Sequence, residues 1–337
     1  MIKTVVQKFD DKNYKKQIAE VLEEDFLFEE KIKNIRSIFI KPNLVTDVPQ
    51  YINNGANTDI RIIEAIISYL NNFPSLEIYL GESETGTKVK GRKLEYALKN
   101  MGILKMQKKY NFKIINLTED EKEEITIPNG KILKKIKLSK TFLSSDLIIN
   151  LPKIKTHKYA TITCALKNMF GVIPDPLRII YHQNIHQIIA DLNKFFYSKI
   201  FTITDGIVCM EGQGPLYGKP RKLNLILFSN NPVANDYVVS QIMKISPQKI
   251  KHLQLANEWA KIDFSKIKIS SFKKINEITR KPFVLANKNL FIKMEGFLMQ
   301  FPFIVKIIFS DFFQKNISKK LDFLLKKLRG GSFSRYE

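Results

Sequence analysis

The sequence predicts an α/β fold: mostly parallel sheets with flanking helices, arranged as two lobes with a cleft, plus a helical C-terminal tail. Three observations carry this. Apolar runs of strand length recur at residues 35–40, 76–80, 146–151, 201–204 and 223–228, bounded by Gly, Pro, Asn or Asp. Segments with helical apolar spacing lie between them, the alternation that builds a helix-covered parallel sheet. From about Asn289 the composition shifts toward Phe and Lys. The expected division is an α/β unit over 1–284, with lobes of about 1–197 and 198–284, and a basic, Phe-rich helical tail over 285–337.

Taken in order, residues 12–25 read as an amphipathic helix, with Ile18, Val21, Leu22 and Phe26 at helical spacing. The strand at 35–40 closes into Lys41-Pro-Asn-Leu-Val, which offers Lys41 and Asn43 at a strand's end. Asn57-Thr-Asp supplies capping groups for a helix through Leu70, whose Ile60, Ile63, Ile66, Ile67 and Leu70 make one apolar face. After the strand at 76–80 comes a Gly-containing turn with Gly86, Thr87 and Lys88, then a helix over 93–100. That turn nearly spells a P-loop, but Thr87 separates the glycine from the lysine. It reads as an anion cradle and not an ATPase loop. Residues 105–140 look hairpin-like, with Pro128-Asn-Gly as a turn.

The chain is organised around residues 146–176. An apolar strand ends at Pro152, and a polar cluster follows: Lys153, Lys155, Thr156, His157, then Lys167 and Asn168. Loops beyond the carboxyl ends of parallel strands are where ligands bind, so this cluster is expected to be a loop that binds anions and moves protons. Next, His182 and His186 stand four apart ahead of a helix over 185–196. On one helical face they could hold a metal; if the helix begins between them they could not. Asp205-Gly-Ile-Val-Cys-Met-Glu-Gly-Gln-Gly-Pro reads as a tight loop in which Asp205 and Glu211 orient a lysine or histidine or accept a substrate hydroxyl. Asn231-Pro-Val-Ala-Asn-Asp opens a helix over 237–245, and 262–269 ends the regular region.

Bulk properties narrow the function. The 337 residues are 44% hydrophobic and 26% charged, enough for a substantial core. The net charge of +22 would ordinarily point to nucleic acid or an anionic membrane. Here the lysine excess accompanies abundant Ile, Asn and Phe, as a biased base composition produces, and no nucleic-acid signature is present; no specific nucleic-acid partner is expected. Cys164 and Cys209 form no Cys-x-x-Cys pair, so neither a cysteine-ligated iron–sulfur cluster nor a disulfide framework is expected. The amino terminus is too charged for a secretory signal, and no run reaches the ~20 apolar residues of a membrane span. The expected location is cytoplasmic, with peripheral membrane contact through the tail left open.

These motifs together carry a resemblance. Lys41-Pro-Asn-Leu-Val, Asn150-Leu-Pro-Lys-Ile-Lys-Thr-His, Lys167-Asn-Met-Phe-Gly, Thr204-Asp-Gly-Ile-Val-Cys-Met-Glu-Gly-Gln-Gly-Pro and Asn231-Pro-Val-Ala-Asn-Asp occur in one order over about residues 35–260. In them the chain resembles the domain of unknown function 362 family. Many of its members carry an added ferredoxin-like segment with cysteine clusters, which this chain lacks. More distantly, the layout resembles the nickel-pincer lactate racemase family: Thr85-Gly86-Thr87 is followed by Lys88, where that family has a histidine, and His157 stands ten residues before Lys167. The resemblance implies a two-lobed scaffold in which Lys167 anchors a cofactor and His182 lies near a metal.

Three functions follow as expectations. The first is an enzyme, isomerase- or racemase-like or an oxidoreductase, acting on a small carboxylate or phosphate. Its catalytic groups would be His157, Lys167 and Glu211, and its binding groups Lys41, Asn43, Gly86, Thr87, Lys88, Lys153, Lys155, Thr156, Asn168 and Asp205. The metal pair His182 and His186 and a nickel-pincer-type cofactor stay open. The second is a non-catalytic redox or assembly partner of a separate iron–sulfur protein. The third is a peripheral membrane protein held by its tail.

Overall fold

The computed structural model describes residues 1–84, 93–175 and 178–287, together with 301, 303, 304 and 307. The expected anion cradle at Gly86, Thr87 and Lys88 lies outside the described residues, as does most of the expected helical tail. The strands are β1 (Lys3–Lys8), β2 (Ser37–Pro42), β3 (Glu77–Glu82), β4 (Lys113–Asn116), β5 (Lys122–Thr126), β6 (Lys135–Ser139), β7 (Leu147–Leu151), β8 (Lys153–His157), β9 (Thr161–Thr163), β10 (Ile200–Glu211), β11 (Lys219–Ser229) and β12 (Lys268–Ser271). The principal helices are α1 (Tyr14–Glu20), α2 (Ile60–Leu70), α3 (Lys93–Asn100), α4 (Ala165–Asn168), α5 (Ile185–Phe196), α6 (Pro232–Ile242) and α7 (Lys251–Ala260).

One ten-stranded sheet runs β12-β1-β11-β10-β7-β2-β3-β4, with β8 and β9 branching from β10. The pairs β2–β3, β2–β7, β3–β4, β10–β7, β10–β8 and β1–β12 are parallel, while β1–β11, β10–β11 and β8–β9 are antiparallel. The fold is therefore α/β with a mostly parallel sheet. The boundary expected near 197/198 falls between β7 and β10, which pair directly at Ile200–Ile148, so the two expected lobes share one sheet.

Strands in such a sheet are covered on both faces, and their residues alternate between two cores. Ile38 and Ile40 enter one core and Phe39 the other; Ile149 and Leu151 enter the first and Ile148 the second. The first core takes Ile62, Ile63, Ile66 and Ile67 of α2, whose N-cap Asp59 accepts from the Arg61 N–H. The second takes Ile185, Ile188, Ile189 and Leu192 of α5, with Val238 and Val239 of α6 and Leu253 of α7.

Two expectations are corrected here. The cluster after Pro152 is a strand, not a loop: β8 is buried along its whole length and pairs with β10 and β9. Proline removes a donor but keeps its acceptor, and the Pro152 carbonyl still receives the Asp205 N–H at 2.8 Å. The ladder loses one rung and resumes. Likewise the segment from Asp205 to Glu211 is not a loop but the second half of β10, with its register shifted between Gly206 and Val208.

Candidate functional site: a buried lysine–histidine centre

Four lysines converge where the carboxyl ends of β2, β3 and β7 meet β8 and α4. Lys41, the penultimate residue of β2, is fully buried and ion-pairs with Glu82 at the end of β3, while also donating to the Pro42 carbonyl at 2.8 Å. Glu82 accepts from the Ser83 N–H at 3.0 Å, so its carboxylate is held from two sides. Gly171 lies directly on this pair. A Cβ there would stand 2.6 Å from Glu82 Oε1 and 2.8 Å from Lys41 Nζ, so any larger residue must displace the ends of this ion pair.

Along β8, Lys153 ion-pairs with Asp205 at 2.6 Å. Asp205 also accepts from the Asp59 and Ile207 N–H groups, at 2.7 and 2.9 Å. Burial pushes its carboxyl above the ordinary value while Lys153 pulls it back. Lys155 is fully buried, and its one hydrogen bond among the described residues goes to the Ala56 carbonyl at 2.9 Å. Burial first, then the charges of Lys167 and Lys153, hold its pKa well below the usual lysine range. Asn43 donates to the same Ala56 carbonyl at 2.9 Å. Gly55, at φ +83°, makes the turn that presents that carbonyl.

Lys167 sits on α4, and its surroundings differ from those of the other three lysines. Its side chain makes no ion pair or hydrogen bond among the described residues; its ammonium lies 4.3 Å from the centre of the Phe170 ring. Burial, with Arg178 and Lys41 adding like charge against the opposing pull of Glu82, lowers its pKa to about 7. The residue nevertheless keeps partial solvent exposure.

The helix is fixed from several directions. Asp236 accepts from the Ala165 and Leu166 N–H groups at 2.7 and 3.1 Å, Asn193 donates to the Leu166 carbonyl at 2.9 Å, and Asn150 donates to that of Ala165 at 3.0 Å. Asn168 donates to Asn150 Oδ1 at 2.8 Å and to the Lys41 carbonyl at 3.2 Å, tying α4 to β7 and β2.

His157 closes β8. Its Nδ1 accepts from the Tyr159 and Ala160 N–H groups, both at 3.1 Å. A ring nitrogen that accepts carries no proton, so neutral His157 bears its proton on Nε2. Burial, then Lys167 and His182, hold its pKa well below the normal value and keep it neutral. His182 stacks on it with ring centres 6.2 Å apart and meets Tyr159 and Phe170 edge-on. Burial and Lys167 lower its pKa to about 3.

His182 and His186 take different partners. A 3₁₀ segment over Arg178–Asn184 precedes α5, and His186 stacks on the buried His252 of α7, 5.7 Å between centres. Among the described residues, no group of three or more His, Cys, Asp or Glu side chains is placed to hold a metal ion. Glu211 pairs with Arg221 at 2.8 Å and accepts from the Val284 N–H at 3.2 Å. Thr156 donates to the Gly212 carbonyl at 2.9 Å.

Glu82, Arg178, Asp236 and His252 were not singled out from the sequence. Glu82 could have been: a carboxylate two residues after the apolar run of β3 stands at a strand's carboxyl end, as Lys41 does. His252 comes from a distant helix and carries no local pattern, and Asp236 stands in the Asn231-Pro-Val-Ala-Asn-Asp motif, which reads only as a helix start.

The chain is thus an α/β protein with a lysine–histidine centre at the carboxyl end of its sheet. The sequence pattern of the family described as Domain of unknown function (DUF362) matches residues 38–241. The chain belongs to that family. It is 34% identical over 124 residues to the thylakoid-associated protein sll1697 of Synechocystis sp., a match covering 34% of this chain and 38% of that protein's length. Among solved structures it is similar to the lactate racemase apoprotein of Thermoanaerobacterium thermosaccharolyticum, with a TM-score of 0.42 and 12% identity over 92% of this chain and 91% of the other. A Thermotoga maritima protein gives a TM-score of 0.38 and 12% identity, over 73% and 59% of the two chains. Likeness at that level is too loose to assign chemistry.

Proposed function

We propose that this centre binds a small carboxylate or phosphate and performs proton transfer on it, with Lys167 as the base and His157 as a fixed N–H donor. The observation that carries this is the charge balance. Glu82 and Asp205 are taken up by Lys41 and Lys153, and Arg178 lies near Glu82, Asp175 and Glu84 and donates to the Glu84 and Ile173 carbonyls at 2.9 and 3.3 Å, which leaves Lys155 and Lys167 without a carboxylate partner among the described residues. Unpaired buried cations are costly, and an anion that meets them recovers the cost. Lys167 titrates near neutral pH, as a general base requires. His157 stays neutral and offers Nε2–H, which suits it to stabilising negative charge on an oxygen.

The residues also fit a metal-bearing cofactor in part. His182 is neutral, the form that ligates metals, and Lys167 is an amine without a hydrogen-bond partner among the described residues. His157, with its proton on Nε2, is a donor and not a ligand. A metal held there would act as a Lewis acid on a bound oxygen.

Titration calorimetry with oxalate and with phosphate tests the reading. Binding should weaken by about tenfold or more in Lys167→Met and in Arg178→Met, and should weaken as pH rises through about 7, where Lys167 loses its charge. Absence of binding by both anions, or binding indifferent to these substitutions, would refute it.

A second reading concerns location. No helix among the described residues is long and apolar enough to cross a membrane, but Val284 and Leu285 are exposed, as are Phe303 and Ile307 of the tail, and the relative in Synechocystis is named as thylakoid-associated. Exposed apolar side chains on a chain of net charge +22 suit the surface of an anionic bilayer. Co-sedimentation with vesicles containing phosphatidylglycerol, lost at high salt, is the expected result.

A further inference from the structure

We infer that Lys167 is an amine nucleophile, and that the anion bound beside it carries an aldehyde or ketone carbonyl, as a 2-oxo acid does. This rests on the anion-site reading above and adds to it the reactive group of the substrate. The four lysines of the centre separate cleanly. Lys41 and Lys153 are committed to Glu82 and Asp205, and Lys155 is fully buried and donates to the Ala56 carbonyl. Only Lys167 among them has neither an ion pair nor a hydrogen bond among the described residues, and it alone retains solvent access. Its nitrogen lies over the face of Phe170, and Arg178 and Lys41 repel a proton there. A partly accessible amine that is uncharged in good part near neutral pH is a nucleophile. Arg178, one of the two cations that lower its proton affinity, would seat the carboxylate of an incoming oxo acid, and His157 Nε2–H would receive the carbonyl oxygen.

The step balances without an oxidant. The Lys167 lone pair adds to the carbonyl carbon, a C–N bond forms, and the carbonyl π pair moves to oxygen. One nitrogen proton passes to that oxygen, giving a carbinolamine. The C–O bond then breaks, and hydroxide leaves with the second nitrogen proton as water. The products are an imine and one water. Protonated at nitrogen, the imine draws electrons from the neighbouring carbon and makes its C–H acidic, which joins this step to the proton transfer proposed above.

The test uses the full-length protein with pyruvate or glyoxylate and sodium cyanoborohydride at pH 7, which converts an imine to a stable secondary amine. Intact mass should show one predominant adduct, and peptide mapping should place it on Lys167. Its labelling should be about tenfold or more faster than at any exposed lysine, because an ordinary lysine is almost wholly protonated at that pH. Labelling should level off above pH ~8, whereas exposed lysines should keep accelerating. Lys167→Arg keeps a cation at the site and should abolish the fast adduct, while the surface substitution Lys266→Met should not. Labelling spread over exposed lysines, at an equal rate in Lys167→Arg, would overturn the inference. Should oxalate bind with the predicted dependence on Lys167 while no fast adduct forms, the nucleophile reading fails and the anion site stands. Should a fast Lys167 adduct form while neither oxalate nor phosphate binds, the nucleophile stands and the anion-site reading fails.

Discussion

An ammonium at Lys167 is partly desolvated and is repelled by Arg178 and Lys41, and stability should register that. Its folded-state pKa of about 7 lies below the ordinary 10.5. Protonation therefore opposes folding, in full below about pH 7, and the penalty fades as pH rises toward 10.5. Lys167→Met should consequently stabilise the protein by roughly 1–3 kcal/mol at pH 6 and by little near pH 10. Urea titrations at the two pH values check this. The same substitution should remove the anion-induced rise in Tm, so stability and binding should move in opposite directions. Both His157 and Lys167 were legible in the sequence as a polar cluster after an apolar run. Where the proton of His157 sits and how far that of Lys167 is loosened were not, because those come from the Tyr159 and Ala160 N–H groups and from Arg178, which no spacing rule brings together.

At the scale of the element, the four-residue helix α4 is too short to hold itself. Asp236 supplies its N-terminal acceptor from across the core, and burial raises that carboxyl to about 6. A carboxyl raised above its unfolded value favours folding most when protonated, so this group's contribution falls as pH rises through about 6. Asp236→Asn removes the titration but leaves one acceptor where two N–H groups need satisfying. It should cost roughly 1–2 kcal/mol at pH 7 and should flatten the stability profile between pH 4 and 7, as denaturant midpoints would show. The elements themselves were mostly legible: α3 spans the expected 93–100 and α5 the expected 185–196. β8 was not. Lys153-Ile-Lys-Thr-His has the two-residue alternation of a strand, but its buried lysines read as solvent-facing until Asp205 and the Ala56 carbonyl are in place.

Over the whole molecule, the last stretch of the described chain is a strap. Phe283 is buried beneath the Arg221 guanidinium, 4.4 Å from its ring, and its N–H reaches the Met243 carbonyl at 2.9 Å. Gly212 donates to the Val284 carbonyl at 2.7 Å, and Arg221 to those of Pro282 and Lys281. Truncation after Asn287 should therefore leave a cooperatively folding protein that still binds oxalate. Truncation before Lys281, or Phe283→Ala, should cost about 3 kcal/mol or more. Thermal unfolding of the three variants separates the cases. The sequence marked the change of composition near Asn289 but not the strap before it, because 281–287 is irregular and its role depends wholly on Arg221 and Met243.

The place of β1 in the sheet also bears on how the chain is made. Thr4 pairs with Ser229 on one side and Ile269 on the other. At ~5–20 residues per second, a ribosome needs on the order of ten seconds or more after making β1 before either partner exists. Through that interval Val5 and Val6, both destined for the interior, have no strand of their own chain to pair with. The unpaired β1 segment is therefore a natural client for a chaperone at the ribosome exit. Ribosome-arrested chains ending before residue 219 should leave it open to protease, and release of the full chain should close it.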